Sequence, residues 1–307
     1  MPELPEVQTI ADDLNKKVLG RKIVKTWSDW PKQLNLIKEG VFISGRKKLV
    51  IKNFEKIIKN KKIKKAHRRA KNLLLDLSDG YMMLVHQKMT GHLLVGKWKI
   101  VNGRAVADGA SNIARDPYNR FVHVIFYLND GKMLALSDVR KFAKIILGKK
   151  EDLENLPELK ELGPEPLDKN FKFNDFKKII SGKTGKIKQV LMDPKVIAGI
   201  GNIYSDDILW LAKINPFKPA NKISEEKLKE LFKGIRIILN KAIKLRGSSI
   251  SDYRDTAGEK GDYGSAMLVY KREGKECFRN DGGIIVRRKI GGRSVRFCPT
   301  CQAVEIQ

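Results

Sequence analysis

The chain has 307 residues, of which 62 are Lys or Arg and 35 are Asp or Glu, so its formal net charge is +27. No apolar run is long enough to span a bilayer and no signal-peptide pattern is present, which excludes a membrane protein and predicts a soluble, cytoplasmic one. The length predicts about two domains. Because Lys and Arg release counterions when they neutralise phosphates, the charge favours nucleic acid as a partner, and a solvated lysine-rich surface is the alternative.

The first predicted element is a helix that begins directly after residue 2. Pro5 and the acids Glu3 and Glu6 are typical of a helix N-terminus, where proline lacks no needed donor and carboxylates meet the positive end of the helix dipole. Gly20 ends an apolar pattern with helical spacing that comprises Val7, Ile10, Ala11, Leu14 and Val18.

Residues 41–147 carry the pattern of short strands. Turn signals at residues 78–80 and 129–131 each separate two apolar runs and predict two hairpins. Residues 98–119 are polar and glycine-rich and are expected to form a long loop. The fold class predicted for this part, residues 1–148, is therefore an antiparallel β-sandwich domain with an N-terminal helix, within an α+β protein.

A proline-dense stretch at residues 162–167 predicts an interdomain linker over residues 149–170. Residues 171–262 have a helical pattern, with helices expected over residues 186–192 and 203–212 and after Ser224, which is a good N-cap. Residues 263–307 return to short strands around three cysteines, of which Cys298 and Cys301 have the spacing of half a zinc site.

Pro2 is a candidate nucleophile. After removal of Met1 its nitrogen is a secondary amine, which is much less basic than a lysine and partly unprotonated near neutral pH. Such an amine can attack C1′ of a sugar to form an iminium, and Glu3 can protonate the ring oxygen as the base departs. Ordinary helix initiation is the alternative for an isolated Pro-Glu start.

Eight motifs in order resemble those of the formamidopyrimidine-DNA glycosylase family. They are residues 2–7 (PELPEV), 68–71 (RRAK), 86–91 (HQKMTG), 138–142 (DVRKF), 162–167 (LGPEPL), 191–193 with 199–204 (LMD and GIGNIY), 292–293 (GR) and 298–302 (CPTCQ). They cover the chain from end to end. The resemblance implies a helix–two-turn–helix domain that ends in a zinc-finger-type β-hairpin, with DNA in a basic cleft between the two domains.

The resemblance also implies roles for individual residues. Pro2, Glu3, Lys71 and Arg293 match catalytic positions of the family, and Lys183 and Asn202 match phosphate contacts. Met89, Arg140 and Phe142 match the side chains that fill the duplex when the target nucleotide is flipped out. For each of these positions a structural explanation stands beside the functional one: the apolar pair could pack in the core, Arg140 and Lys71 could be solvated, and the glycines before Asn202 could form a plain turn.

The cysteine pattern departs from the family, whose zinc site has four cysteines. Only Cys277, Cys298 and Cys301 are present, and counting from either side places Asn280 or Asp281 at the missing position. Aspartate binds zinc through oxygen, whereas asparagine is a poor ligand. A Cys3Asp site, three protein ligands with water, and a hairpin without zinc remain open, and a structural zinc held by the cysteines with Asp281 is preferred.

The function that the resemblance implies is base-excision repair. The expected enzyme removes 8-oxoguanine and formamidopyrimidines from double-stranded DNA as a monomer, through a Pro2 Schiff base, and then cleaves the abasic strand by β,δ-elimination without a redox cofactor or catalytic metal. An endonuclease VIII-like enzyme for oxidised pyrimidines is one alternative, because the expected base-capping region, residues 251–270, is irregular. A damaged-DNA-binding protein without catalysis is the other.

Overall fold

The computed structural model of the chain describes residues 1–43, 47–250 and 252–303. Its contacts divide the chain into two compact units: unit 1 comprises Met1–Lys160 with Leu245–Asp262, and unit 2 comprises Glu161–Lys244 with Tyr263–Gln307. The predicted α+β class is confirmed. Within the described ranges, no helix combines the length and the apolar character needed to cross a membrane.

Unit 1 contains two main sheets. Strands β1 (Ile23–Ser28), β7 (His92–Gly96), β10 (Val122–Leu128) and β11 (Met133–Ser137) form an antiparallel sheet in the order β1-β10-β11-β7. Strands β2 (Leu34–Lys38), β3 (Val41–Phe42), β4 (Ile63–Arg69), β5 (Asn72–Leu77), β6 (Tyr81–His86) and β12 (Lys144–Lys149) form the second, in the order β3-β2-β12-β6-β5-β4. In the second sheet β2 and β12 pair in parallel, an exception to the mainly antiparallel pairing that the sequence predicted.

Both sheets bury alternate residues in one shared core, as expected when successive side chains point to opposite faces of a strand. Leu73 and Leu75 of β5 and Val124 and Phe126 of β10 belong to this core, together with the apolar face of helix α1 (Leu4–Lys17). The predicted sandwich with an N-terminal helix is therefore confirmed. The two predicted hairpins are confirmed as well, since β5 is followed directly by β6 and β10 by β11.

The strand prediction is wrong for helix α2 (Lys47–Ile58), which lies inside the region predicted to be strands. Phe54 and Ile58 of α2 are buried in the core of the sandwich, and their spacing of four residues is helical.

The loop prediction for residues 98–119 is also wrong. This segment forms strands β8 (Trp98–Val101) and β9 (Arg104–Ala107), the short helix α3 (Asn112–Arg115) and a 3-10 turn at Pro117–Arg120. The signal that predicts the β8–β9 hairpin is the Asn102-Gly103 pair, a two-residue turn favoured because both residues tolerate positive φ.

The predicted linker begins with two short helices, α4 (Lys150–Glu154) and α5 (Pro157–Lys160). Leu153, Leu156 and Leu159 are buried, which is why the contacts place this stretch in unit 1. The proline-dense residues that follow belong to unit 2, where the Gly163 N–H donates to the Pro194 carbonyl at 2.9 Å.

The described residues of unit 2 form four α-helices, two 3-10 turns (Ala220–Lys222 and Tyr263–Ala266) and a hairpin. The helices are α6 (Phe173–Ser181), α7 (Ile187–Met192), α8 (Asn202–Leu211) and α9 (Glu225–Lys244), and the hairpin strands are β13 (Val286–Ile290) and β14 (Arg293–Phe297). The predicted helices are confirmed. Lys188 and Asp206, both fully buried, form an ion pair at 2.5 Å between α7 and α8. Lys188 also donates to the Ser294 carbonyl and Asp206 accepts the Arg296 N–H, so this pair anchors β14 to the helices.

The segment Leu245–Asp262 follows α9 directly, and the sequence placed it in the helical domain of residues 171–262. Its contacts are instead with unit 1. The Arg246 guanidinium binds Asp13 of α1 at 2.6 Å and Asp255 at 2.5 Å, and the Ser248 N–H donates to Glu6 at 2.7 Å. Periodicity cannot reveal this, because the contacts with Asp13 and Glu6 join residues more than 230 positions apart.

Candidate functional site

The start of α1 is a capping box. Glu3 is the N-cap, its N–H donates to Glu6 Oε2 at 2.7 Å, and its own carboxylate accepts the Glu6 N–H. Pro2 and Glu3 are buried, whereas Met1 is 45% exposed. Removal of Met1 therefore leaves the Pro2 amine at the positive end of the helix dipole, which favours the unprotonated, nucleophilic form.

Glu6 joins the start of α1 to the segment Leu245–Asp262. Its Oε1 accepts the Ser248 N–H at 2.7 Å, and a Cβ on Gly247, whose φ is +79°, would lie 2.8 Å from Glu6 Cγ. The buried Tyr253 hydroxyl donates to the Glu6 carbonyl at 3.5 Å, and burial raises the Tyr253 pKa well above its usual value. The sequence analysis did not single out Glu6 as a positioning residue, although the Glu3-x-x-Glu6 spacing carried the signal.

Lys71 lies in the two-residue turn between β4 and β5. Arg68 ties this turn to α1, because its Nε donates to Gln8 Oε1 at 3.1 Å while its Nη1 donates to the Ala70 carbonyl at 3.1 Å. The turn that carries Lys71 is therefore fixed to the helix that carries Pro2.

His86 ends β6 opposite Asn72, the residue after Lys71. Burial, with the nearby charges of Lys88 and Lys71, lowers the His86 pKa to about 4. His86 Nδ1 accepts the Lys88 N–H at 3.0 Å, which places the single imidazole proton on Nε2. His86 is thus a neutral hydrogen-bond donor at physiological pH. It belongs to the motif at residues 86–91, but the sequence analysis drew attention only to Met89.

Two loops, residues 87–91 and 138–142, are here called the wedge loops. Met89 is 43% exposed and Phe142 is 52% exposed, so packing in the core does not account for either side chain. The Arg140 guanidinium lies 4.7 Å from the centroid of the Phe142 ring. The wedge loops thus present an apolar, an aromatic and a cationic side chain to solvent.

The buried side chain of Asp138 connects the two wedge loops. Its carboxylate is fully buried and accepts the Thr90 hydroxyl at 2.5 Å, Gln33 Nε2 at 3.0 Å and the Ala143 N–H at 2.8 Å. The Thr90 oxygen in turn accepts the Arg140 N–H at 3.2 Å. Charge-assisted hydrogen bonds contribute about 1.5–3 kcal/mol each, so this carboxylate holds both loops in one arrangement. The sequence analysis did not single it out.

In unit 2, Asn202 is the first residue of α8 and follows Gly201, the N-cap. Its side-chain Oδ1 is buried, and no residue within the described part of the chain donates a hydrogen bond to it. Lys183 is exposed in the turn before α7, where its carbonyl accepts the Asn221 N–H at 2.9 Å. Asn202 therefore lies at the positive end of the α8 dipole, where anions are favoured.

Arg293 is exposed at the turn between β13 and β14. The hairpin packs on α7, and a groove at this contact is lined by Gln189, Met192, Ile290 and Arg293. The buried Lys188–Asp206 pair binds β14 at the Ser294 carbonyl and at the Arg296 N–H. The strand that begins with Arg293 therefore has a fixed position within unit 2.

Four side chains converge beside the hairpin with the geometry of a metal site. One donor atom from each of Cys277, Asp281, Cys298 and Cys301 lies within 4.8 Å of all the others. Cys277 and Cys301 sulfurs are 3.9 Å apart, and Cys298 Sγ is 3.7 Å from Asp281 oxygen. A tetrahedral zinc with bonds of about 2.3 Å requires edges of about 3.8 Å, so these residues fit zinc.

Neighbouring side chains donate hydrogen bonds to two sulfur atoms of this cluster. Trp210 Nε1 donates to Cys277 Sγ at 3.3 Å, and Arg279 donates to Cys301 Sγ at 3.0 Å while binding the Trp210 carbonyl at 2.8 Å. A Cβ on Gly283 would lie 2.4 Å from Cys298 Sγ, so only glycine fits beside the cluster. Asp281, and not Asn280, is the fourth residue of the cluster.

Known proteins match the chain along its length. Residues 1–145 match the formamidopyrimidine-DNA glycosylase N-terminal domain, and residues 162–254 match the formamidopyrimidine-DNA glycosylase H2TH domain. The formamidopyrimidine-DNA glycosylase of Pelotomaculum thermopropionicum is 37% identical over 99% of this chain and 100% of its own, and that of Herpetosiphon aurantiacus is 36% identical over the same shares.

Solved structures agree with these matches. The Lactococcus lactis Fpg in complex with DNA containing an abasic site is 30% identical, with a TM-score of 0.82, and MutM in complex with DNA containing carbocyclic 8-oxo-G is 31% identical, with a TM-score of 0.80. Each covers 99% of this chain and 100% of its own. Fold and site therefore define a DNA glycosylase of base-excision repair with abasic-site lyase activity. The chain belongs to the formamidopyrimidine-DNA glycosylase family.

Proposed function

We propose that this glycosylase removes 8-oxoguanine and formamidopyrimidines from double-stranded DNA with the amine of Pro2 as its nucleophile, acting as a monomer. The observation that carries the proposal is the start of α1, where Pro2 and Glu3 are buried and fixed by Glu6. The named relatives and the solved complexes with lesion-containing DNA support purine lesions as substrates. Intact Pro2, Glu3 and Lys71 speak against a protein that only binds damaged DNA.

The chemistry begins with attack of the Pro2 nitrogen on C1′ of the flipped nucleotide. The bond from C1′ to the base breaks, and the base leaves with the electron pair and takes up the proton that the Pro2 nitrogen loses. Glu3 then protonates the ring oxygen as the C1′–O4′ bond breaks and the nitrogen lone pair forms the iminium. Two hydrogen bonds hold Glu6, so α1 presents Pro2 and Glu3 in one arrangement and little ordering is needed during the reaction. Loss of the C2′ proton then expels the 3′-phosphate, and a second elimination expels the 5′-phosphate.

Cations assist these eliminations by binding the phosphates that depart. Lys71, beside the neutral donor His86, is assigned to this role in unit 1, and Arg293 is assigned to it in unit 2. Lys183 and the N–H groups at the start of α8, with Asn202, bind the backbone of the strand. Phosphate contacts of this kind fix the register of the DNA but do not read its sequence.

The wedge loops fill the space that the flipped nucleotide leaves. Met89 and Phe142 stack against the neighbouring bases, and Arg140 donates hydrogen bonds to the unpaired partner base. All three side chains are already exposed in the free protein, so only the DNA has to be rearranged.

Weakening the contact between the wedge loops is expected to slow excision from a duplex. Thr90→Val removes the hydroxyl that binds both Asp138 and Arg140 and should lower the excision rate of 8-oxoguanine about tenfold, because the filling side chains lose their fixed position. Thr90→Ser keeps the hydroxyl and should behave as the wild type. Cleavage of an abasic site in single-stranded DNA, which has no partner base, should be equal in all three. An equal loss on both substrates would show that Thr90 serves only the fold.

We further propose that Cys277, Asp281, Cys298 and Cys301 hold a structural Zn²⁺. Bound there, the ion would cross-link the hairpin to α8 through Cys277, which Trp210 contacts. Its part in the reaction is therefore indirect: it keeps β14, and with it Arg293, in place.

A competition between lesions tests the proposed substrate. Duplexes that carry 8-oxoguanine, formamidopyrimidine or an oxidised pyrimidine, mixed in one cleavage reaction with distinguishable labels, should be cut with a clear preference for the two purine lesions. Undamaged duplex of the same sequence serves as the control. Preferential cleavage of the oxidised pyrimidine would assign the chain the substrate of an endonuclease VIII-like enzyme instead.

A further inference from the structure

Arg254 is a buried cation that the proposed reaction does not use. Its residue is 2% exposed, and its Nε donates to Asp116 Oδ2 at 2.7 Å. Asp116 also accepts the Tyr118 N–H at 2.9 Å, and the Arg254 guanidinium lies 4.9 Å from the Tyr118 ring. Although its partial burial acts in the opposite direction, the bond from Arg254 keeps the Asp116 pKa low, so the carboxylate is charged at neutral pH.

This ion pair is one of several contacts between two distant parts of unit 1. One part is residues 112–119, which follow the β8–β9 hairpin, and the other is residues 252–259. Asn119 Nδ2 donates to the Gly258 carbonyl at 3.3 Å, and Asn112 binds Glu259. Side-chain contacts from residues 112–119 thus hold residues 252–259 in place.

These contacts continue through Tyr253 to the start of α1. Arg254 Nη1 donates to the Tyr253 carbonyl at 2.7 Å, and the Tyr253 hydroxyl reaches the Glu6 carbonyl. Glu6 is the residue that holds Glu3 in the capping box. A continuous set of contacts therefore runs from Asp116 through Arg254 and Tyr253 to the helix start.

Stability alone does not explain the pair. Desolvation of two charges costs about as much as their attraction returns, so a buried ion pair is weak evidence for stability, whereas it does fix geometry. The base of a nucleotide is attached directly to the C1′ that Pro2 attacks. It must lie beside the start of α1, where Ser248 and Tyr253 are found.

We infer that the Arg254–Asp116 pair is a positioning device for the lesion base: residues 112–119 hold residues 252–259 against the start of α1, and the held segment contacts the flipped base. The inference rests on the proposed function, because it takes Pro2 as the nucleophile. It assigns a role to residues 112–120, since Asp116 directly follows α3 and Asn119 lies in the 3-10 turn at Pro117–Arg120. Arg254 and Asp116 act through this segment and do not touch the reacting atoms.

The test compares a substrate that has a base with one that has none. Asp116→Asn should lower the single-turnover excision rate of 8-oxoguanine about tenfold, while cleavage of a duplex with a preformed abasic site should stay within about twofold of the wild type. Arg254→Met should have the same two effects, and the double variant should be no worse than either single one, because both remove one interaction. Arg254→Lys keeps a cation for Asp116 and should retain most of the excision rate.

Asp108→Asn is the matched control, since Asp108 directly follows the β8–β9 hairpin and forms an exposed pair with Lys99 at 3.1 Å. It should match the wild type on both substrates. Equal losses on the two substrates, an unchanged excision rate in Asp116→Asn, or the same loss in Asp108→Asn would each overturn the inference. If the wild type cleaves neither substrate, the proposed function itself fails, which is a different result. Melting temperatures identify a variant that has lost its fold, and in that case Arg254→Lys decides.

Discussion

Borohydride is expected to trap the protein covalently on a duplex containing 8-oxoguanine only when Pro2 carries a free amine. A form that retains Met1 has an amide nitrogen at this position, which cannot form an iminium, and its adduct should fall at least about a thousandfold. Met1 is exposed in the structure, so retaining it should not disturb the buried capping box behind it. The measurement is the fraction of protein that migrates with labelled DNA after reduction.

Glu3→Gln separates the two steps of this reaction. The amide oxygen can still accept the Glu6 N–H, so the helix start should persist, but the acid is lost. Excision of 8-oxoguanine should fall by at least about a hundredfold, while trapping on a preformed abasic site should continue. Pro2→Gly keeps a primary amine and should react slowly. Full trapping of the form that retains Met1 would show that another amine, such as that of Lys71, is the nucleophile.

The second large effect is expected at the metal site. Asp281→Ala removes one of four ligands and should lower the zinc affinity at least about a hundredfold, so that the purified variant carries less than one zinc per chain. Asp281→Cys restores a fourth thiolate and should retain one zinc. In the cobalt-substituted protein, the thiolate charge-transfer band should be stronger in Asp281→Cys than in the wild type, because it has four sulfur ligands in place of three.

Asn280→Ala is the control for the metal site, since Asn280 is exposed and lies outside the cluster. Its zinc content should equal that of the wild type. A full complement of zinc in Asp281→Ala would mean that the three cysteines hold the ion with water as the fourth ligand. No zinc in the wild type would mean that packing alone holds the hairpin.

Local signals explain most of what could be predicted about the fold. The start and end of α1, the turns at residues 78–80 and 129–131 and the helices of unit 2 depend on interactions within a few residues, which periodicity and turn chemistry report. Residues 98–119 were mispredicted for a different reason. Their composition is that of a loop, and the Asn102-Gly103 turn was the one local signal for the hairpin.

The residues of the candidate site likewise fall into two groups, those that local patterns report and those that depend on distant contacts. Nine residues of the candidate site could be named from the sequence, because each stands at a recognisable place in a short pattern. They are Pro2, Glu3, Lys71, Met89, Arg140, Phe142, Lys183, Asn202 and Arg293. Asp138 and the Arg254–Asp116 pair could not be identified as positioning residues. Their partners lie 48 and 138 positions away along the chain, and no local pattern reports such contacts.

The amino-acid sequence by itself determined the family and pointed to the candidate nucleophile, because motif order and helix-start signals are properties of the linear chain. Only the tertiary structure decided that Asp281 joins the three cysteines, since counting along the chain gives Asn280 from one side and Asp281 from the other until the donor atoms are seen together. It also decided that residues 245–262 pack on unit 1. That choice depends on buried charges meeting partners from distant segments, and burial of a charge is favourable only where such a partner is in place.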